Sequence, residues 1–203
     1  MGNSDIKLPP PKEYGDVSLE SVLSTRRSRR HFNTRAIGLG AVSQILWASY
    51  GTNKSRKTSP SAGGLYPLII YLVVVNVDKL DAGLYRYDPG AHTLFVCHGR
   101  DIRKELCDAA FHQEMILDAP ASLVYTTTFN RVASRYGDRG INRYIPMDVG
   151  HSGQNVYLQV EALGLGTCAI GAFNDERVKD VLELPAEEHP LYIMPVGYTS
   201  ASE

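Results

Sequence analysis

The chain has 203 residues, of which 43% are hydrophobic and 21% charged, a composition that is typical of one folded domain and excludes a disordered protein. Its formal net charge is −1, from 21 Lys and Arg against 22 Asp and Glu, which excludes the general polycation of strongly basic nucleic-acid binders. No apolar run is long enough to span a membrane, and three cysteines match neither a disulfide framework nor a zinc site. We therefore expect a cytoplasmic protein that binds no nucleic acid, membrane or metal.

The first predicted element is an extended arm, residues 1–17, because its three consecutive prolines cannot start a helix. Ser18 then caps a short helix that ends near Thr25. Apolar spacing predicts an inner face made of Leu19, Val22 and Leu23. We expect this helix to position the segment that follows it. Both belong to a single predicted domain that covers residues 18–203.

Helical and β patterns alternate along the remainder of the chain. Helical spacing occupies the ranges 39–50, 101–110, 147–163 and 174–184. The β patterns occupy the ranges 68–75, 84–87, 93–97, 121–128, 167–170 and 191–196. A polar interval without either period separates the fourth of these strands from the long third helix. This order predicts an α+β fold around one mixed sheet.

A basic segment, residues 26–32, follows the first predicted helix and reads RRSRRHF. Guanidinium groups present planar forks of donors that bind phosphate oxygens in pairs, and a serine between them can donate to the same group. The alternative is a solvated or nucleic-acid-binding basic patch, although the net charge of −1 disfavours a long polyanion. The segment is therefore a candidate cradle for a small anion.

Two strips of small residues are candidates for binding a flat ligand. Residues 59–67 read SPSAGGLYP, and residues 167–173 read TCAIGAF. Small side chains allow main-chain N–H and C=O groups to approach a ligand closely, but tight turn packing explains such glycines equally well when each strip is read alone. No G-x-G-x-x-G sequence follows a strand, and neither a Walker loop nor a G-x-S-x-G elbow is present. Together with the basic segment, the strips favour a phosphorylated planar cofactor.

In this order the motifs resemble the FMN-dependent nitroreductase superfamily, and most closely its SagB-type branch, which includes thiazole/oxazole-forming oxidases. The resemblance runs from about Ser18 to Gly197. It rests on RRSRRHF, PSAGGLYP before a hydrophobic strand, RYGDRGINRY, DVGHSGQNVYLQVEALGLGT and the closing PVG. It implies a mixed, mainly antiparallel sheet flanked by helices, in an intertwined homodimer with FMN at the subunit interface.

The resemblance also implies cofactor-binding residues in three places. The basic segment would bind the FMN phosphate and ribityl oxygens, the first strip would touch the flavin from the other subunit, and the Gly171 amide would point at flavin N5. A hydrogen bond there orients the ring, while the redox chemistry belongs to the cofactor. The implied residues are Arg26, Arg27, Ser28, Arg30, Pro60, Ser61, Ala62, Gly63, Leu65, Ala169, Ile170, Gly171 and Ala172.

The activity implied by the resemblance is a ping-pong transfer of electrons from NAD(P)H, through FMN, to a small acceptor such as a nitroaromatic or a quinone. Two alternatives stay open. The first is a SagB-type dehydrogenase that acts on azoline heterocycles or peptides. The second is a flavin-binding module without turnover. A nucleic-acid binder ranks last, because its affinity requires the polycation that this chain lacks.

The chain departs from the family pattern at two places. Azoline oxidases of the SagB branch use a Lys-Tyr pair as catalytic residues, and the matching positions here are Arg135 and Tyr136. Arginine cannot give up its proton near neutral pH, so the oxidase base would be lost. Many nitroreductases also place a basic residue on the phosphate after the last strand, whereas no Lys or Arg follows Tyr198. We therefore expect Arg26 and Arg30 to carry more of the phosphate charge.

Overall fold

The computed structural model of the protein describes residues 5–53 and 55–200, so residues 1–4 of the predicted arm lie outside the described residues. Its helices are α1 (Leu19–Thr25), α2 (Leu39–Tyr50), α3 (Arg103–Ala109), α4 (Met115–Asp118), α5 (Asn130–Arg139), α6 (Ile145–Ala162) and α7 (Asp175–Leu182). Its strands are β1 (Ile6–Lys7), β2 (Ile37–Gly38), β3 (Thr52–Asn53), β4 (Arg56–Lys57), β5 (Leu68–Val74), β6 (Val77–Asp78), β7 (Gly83–Asp88), β8 (Thr93–His98), β9 (Ala121–Thr128), β10 (Gly166–Thr167) and β11 (Glu188–Gly197). A short 3₁₀ turn spans Ala62–Gly64, and a π-helical turn spans Gly140–Tyr144.

Seven strands form the central sheet in the order β1-β8-β7-β5-β9-β11-β10, and every neighbouring pair is antiparallel. Strands β2 and β6 form a small parallel pair beside it. Strand β5 lies in the middle of the sheet and is buried on both faces, which explains its continuous apolar sequence. The predicted α+β fold with a mainly antiparallel sheet is confirmed; within the described residues, parallel pairing is limited to β2 and β6, outside the central sheet. The intertwined homodimer stays a prediction.

The two faces of the sheet support two separate cores. Alternate residues of β5 point to opposite faces, so Leu72 joins one core and Val73 joins the other. The first core packs β5, β9 and β11 against α2 and α6, and the second packs the same strands against α3, α4 and α7. Helix α6 therefore lies across one sheet face, with its buried stripe formed by residues such as Val156 and Val160.

Several predicted element ends agree with the structure. Helix α2 has the predicted bounds, and β9 covers the predicted residues 121–128. Ser18 caps α1 by accepting a hydrogen bond from the Ser21 amide at 3.2 Å, and Asn174 caps α7 by accepting from the Arg177 amide at 3.0 Å. The capping side chains satisfy N–H groups that have no partner inside a helix.

The predicted inner face of α1 is wrong at two of its three residues. Val22 is buried, but Leu19 is 58% exposed and Leu23 is 52% exposed. The helix has only two turns and contacts the domain mainly through α6, and Val22 is its one buried side chain. The spacing of apolar residues predicted an apolar face on this helix, but in the structure the core of the domain covers only Val22 of that face.

The polar interval between β9 and α6 is helical, which the sequence did not predict, since these residues form α5 and the π-helical turn. Helix α5 buries only Val132, so its sequence lacks the stripe of several apolar residues that marks a core-facing helix. At Gly137 the backbone adopts φ 55° and ψ −149°, a conformation that favours glycine, and the helix is broken there. A search for regularly spaced apolar residues does not detect an exposed helix of this kind.

The described part of the arm, residues 5–17, starts along the edge of the sheet. Strand β1 pairs with β8, and Leu8 is buried. The Pro9 carbonyl accepts hydrogen bonds from Ser43 and from the ring of His92. The division of the chain into an arm and a domain at residue 18 stays a prediction.

Among the described helices, none combines the length and the apolar character needed to cross a membrane, and the cytoplasmic location stays a prediction.

Candidate functional site

The basic segment runs beside β10 and the last described residues. The Arg29 amide donates to the Thr167 carbonyl at 2.9 Å, and the Asn33 amide donates to the Tyr198 carbonyl at 2.9 Å. The Ser200 amide donates back to the His31 carbonyl at 3.1 Å. The fold therefore places the basic segment next to the start of the second small-residue strip. In the sequence, Thr167 lies 137 positions after Arg30.

The four arginines of the segment have different environments. Arg29 forms an ion pair with Glu161 of α6, with Nη2 and Oε1 3.1 Å apart and both side chains largely buried. The guanidinium carbon of Arg26 lies 5.2 Å from the ring centre of Tyr157. Arg27 and Arg30 are exposed. Arg29 thus fixes the segment on α6, while the three arginines predicted to bind the cofactor stay nearer the surface.

Tyr157 of α6 joins the basic segment to the second strip. Its hydroxyl lies 2.9 Å from Ser28 Oγ and accepts a hydrogen bond from the Ala169 amide at 2.8 Å. Sequence reasoning missed this residue, which stands one position away from the buried Val156 of the apolar stripe. We call the group of Arg26, Ser28, Tyr157 and residues 169–172 the arginine cluster.

The second strip presents backbone on one side. Ile170 forms a β-bridge with Ile193, and its side chain packs in the second core, so it can reach a ligand only through its main chain. Gly171 is exposed, and a Cβ built on it would meet only the Tyr192 ring, at 3.9 Å. Ala172 is also exposed, and its carbonyl accepts from Gln113. Open space therefore lies over the Gly171 backbone.

A buried carboxylate holds the first strip in place. Asp148 of α6 is only 4% exposed, and it accepts from the Ser61 hydroxyl at 2.6 Å and from the Ala62 amide at 3.2 Å. Ser61 Oγ also accepts from the Tyr66 amide at 2.9 Å. The hydroxyl proton is therefore directed to a carboxylate, and among the described residues no histidine bonds to Ser61. Sequence reasoning missed Asp148, because its role depends on a contact 87 positions away.

Arg135 and Tyr136 pack on the same loop. Gly63 adopts φ 60°, and a Cβ built there would lie 2.4 Å from Tyr136 Oη and 3.1 Å from Arg135 Nη1. Arg135 Nη1 lies 3.4 Å from the Gly63 carbonyl, to which it donates. Pro60 is exposed and Leu65 is partly buried. We call residues 60–65, Arg135, Tyr136 and Asp148 the loop cluster.

The candidate site thus contains two groups of residues, and each is held by one side chain of α6. Asp148 and Tyr157 stand nine positions apart on α6, which corresponds to roughly 13 Å along the helix axis. Within the described residues, no three His, Cys, Asp or Glu side chains come together as a metal site would require. The arrangement offers guanidinium and hydroxyl donors at one group and exposed backbone at both, which suits a large ligand with an anionic end.

A family model described as the nitroreductase family matches residues 23–198, which is most of the chain. The chain belongs to the nitroreductase family. It is 42% identical over 200 residues to a protein of Methanocaldococcus jannaschii that carries the provisional name of a nitroreductase, with 97% of this chain and 98% of the relative covered. This nitroreductase-family protein is accordingly an oxidoreductase, as the resemblance implied.

Solved structures share the fold of this nitroreductase-family protein. A crystal structure from Ralstonia eutropha, also provisionally named a nitroreductase, has a TM-score of 0.86 and 26% identity, with 97% of this chain and 90% of that chain covered. The NADPH:FMN oxidoreductase of Vibrio harveyi, solved with NAD⁺, has a TM-score of 0.66 and 21% identity, with 90% and 69% covered, and this likeness concerns the fold alone. The SagB-type branch and the cofactor roles of individual residues stay predictions.

Proposed function

We propose that the protein is a homodimeric FMN-dependent oxidoreductase that passes electrons from NAD(P)H to a small acceptor such as a nitroaromatic or a quinone. The observation that carries the proposal is the Tyr157 hydroxyl, which joins Ser28 of the basic segment to Ala169 of the second strip. An anion site and an exposed backbone strip are thereby held at a fixed distance from each other. Family membership supports the same activity, and the Vibrio harveyi relative is an FMN oxidoreductase by name.

The arginine cluster fits the phosphate end of FMN. Tyr157 Oη accepts from the Ala169 amide, so the arrangement that uses every proton has Tyr157 donate to Ser28. The Ser28 proton is then available to a phosphate oxygen, and Arg26 and Arg30, each two positions from Ser28 along the chain, would supply charged donors to the same group. Arg29 is already paired with Glu161 and serves to hold the segment.

The two small-residue strips fit the flavin ring. Within the residues that the structure describes, the Gly171 amide makes no hydrogen bond, and open space lies over it. It would donate to flavin N5, where FMN supplies two-electron chemistry when bound. The loop of residues 60–63 would contact the ring from the second subunit, and Asp148 keeps that loop rigid through two hydrogen bonds.

A second copy of the chain would cover apolar surface that this copy leaves exposed. Large apolar side chains on α1 and at both ends of α6 are exposed: Leu19, Leu23, Met147 and Leu163. A second copy could cover these side chains, and symmetric dimers are the commonest assembly. A dimer would also bring the loop cluster of one copy to the arginine cluster of the other.

The reaction needs little proton chemistry from the protein. An arginine is a poor general base near neutral pH, but the Tyr136 hydroxyl beside Gly63 could donate a hydrogen bond to a bound substrate. The position of Tyr136 next to the loop also supports a second candidate function, that of a SagB-type dehydrogenase acting on azolines. That activity would require Tyr136 for turnover of an azoline peptide.

The visible spectrum of the purified protein tests the proposal directly. We expect flavin absorption with one FMN per subunit, a dimer by light scattering, and NAD(P)H oxidation that depends on an added acceptor. Reconstitution with FMN covers the case in which the cofactor is lost during purification. A protein that takes up no FMN contradicts the proposal, and one that binds FMN but oxidises only azoline peptides replaces it with the second candidate.

A further inference from the structure

The segment from Asn130 to Tyr144 carries positive charge that the fold does not neutralise. It contains four arginines at intervals of four residues, Arg131, Arg135, Arg139 and Arg143. Four arginines against one aspartate give the segment a charge of +3, whereas the whole chain carries −1. All four side chains are exposed, and none forms an ion pair with a residue that the structure describes. Like charges four residues apart destabilise a helix, so folding does not account for them.

Two of these arginines flank a pair of tyrosines. The rings of Tyr136 and Tyr144 meet edge to face with centres 5.1 Å apart. The guanidinium of Arg135 lies 5.3 Å from the Tyr136 ring centre, and Arg139 Nε donates to Tyr144 Oη at 3.2 Å. The helix break at Gly137 and the π-helical turn accompany this arrangement. We call Arg135, Tyr136, Arg139 and Tyr144 the arginine–tyrosine cluster.

The cluster is attached to the loop assigned to the flavin ring. Tyr136 Oη and the Arg135 guanidinium both lie against Gly63, close enough that a Cβ at this position would clash with the hydroxyl. The FMN phosphate is already assigned to the arginine cluster, which is centred on Tyr157 at the other part of α6. The charge beside Gly63 is therefore available to a second anion, at the place where a substrate would meet the flavin.

We propose that the arginine–tyrosine cluster binds the anionic group, a carboxylate or a phosphate, of a redox substrate that also contains a planar ring; this rests on the proposed function. Guanidinium forks bind carboxylates and phosphates, and tyrosine rings provide faces for planar groups. The anion belongs either to the acceptor, as an aromatic carboxylate, or to the donor, as the phosphate that distinguishes NADPH from NADH.

Selectivity ratios measured on the FMN-loaded enzyme test the proposal. The acceptor arm compares kcat/KM for 4-nitrobenzoate with that for 4-nitrobenzamide, which has the same ring without the charge. The donor arm compares NADPH with NADH at a fixed concentration of the neutral acceptor. We expect Arg139→Gln to lower one of the two ratios by about tenfold, in line with the loss of a charge-assisted contact. High salt should lower the same ratio in the unmodified enzyme.

Arg177→Gln is the matched control, because Arg177 is an exposed arginine on α7 and the substitution removes the same charge. It should leave both ratios unchanged. Arg135→Gln provides a second variant, and circular dichroism and FMN content show whether each variant is folded. The proposal is overturned if both ratios stay within about twofold in both variants while turnover continues. Absence of FMN binding or of any turnover in the unmodified protein would instead overturn the proposed function, and this proposal with it.

Discussion

The protein contains two arginine-rich segments, residues 26–30 and residues 131–143, and they differ in how firmly the rest of the fold holds them. The first is held by the backbone hydrogen bond from Arg29 to Thr167 and by the ion pair of Arg29 with Glu161. The second lies on an exposed helix and on the π-helical turn that follows it, without carboxylate partners among the described residues. The number of arginines in a segment therefore does not show what the segment does. The contacts of each guanidinium distinguish an arginine that holds the fold together from one that can bind a ligand.

Stability should show the largest difference between the two segments. Arg29→Ala leaves the largely buried Glu161 carboxylate without its partner, and we expect a loss of about 3 kcal/mol in the free energy of unfolding. Arg139→Ala should change it by less than about 0.5 kcal/mol, as is usual for exposed residues. For a chain of this size the first change lowers Tm by roughly 6 to 12 °C. Equal Tm values for the two variants would remove the basis of the comparison.

The support of the loop cluster comes next in expected size. Asp148→Ala removes the acceptor of the Ser61 hydroxyl and of the Ala62 amide, so we expect a loss of about 2 to 3 kcal/mol in unfolding free energy. Asp138→Ala, at an exposed position of α5, is the control and should cost little. Urea denaturation of both variants measures the difference. A loss confined to Asp138→Ala would show that the loop does not depend on the carboxylate.

FMN affinity should separate the two segments in function. We expect Arg30→Ala to weaken FMN binding by about tenfold or more, which corresponds to the roughly 1.5 to 3 kcal/mol of a charge-assisted hydrogen bond. Arg177→Ala, which removes the same charge from α7, should leave the affinity unchanged. A fluorescence titration in which Arg139→Ala weakens FMN binding more than Arg30→Ala would exchange the roles assigned to the two segments.

The sequence predicted the first segment and missed the helical setting of the second for the same physical reason. Periodicity reports burial, so it located α2 and β9 correctly, where the sheet and its helices cover the side chains. It overlooked α5, which buries only Val132. It also assigned Leu23 to the core, because apolar spacing is the same whether or not the core of the domain covers the side chain.

The candidate site was predicted only where its residues are contiguous. The basic segment and the two strips stand out as short motifs, and the fold places each of them beside a residue of α6. Those residues, Asp148 and Tyr157, were missed because their roles arise from contacts between distant positions. Single buried hydroxyls and carboxylates on a helix carry no sequence pattern, and the structure is needed to find them.

The smallest expected effect compares two tyrosines, one beside each segment. Tyr157→Phe removes the hydroxyl shared by Ser28 and Ala169, so we expect FMN affinity to fall by about fivefold, the equivalent of roughly 1 kcal/mol for a net hydrogen bond. Tyr144→Phe removes only the oxygen that accepts from Arg139, and FMN affinity should stay unchanged. Because both changes delete one oxygen and keep the ring, packing alone cannot produce a difference between them. Equal FMN affinities in the two variants would show that Ser28 binds the phosphate without Tyr157, or does not bind it at all.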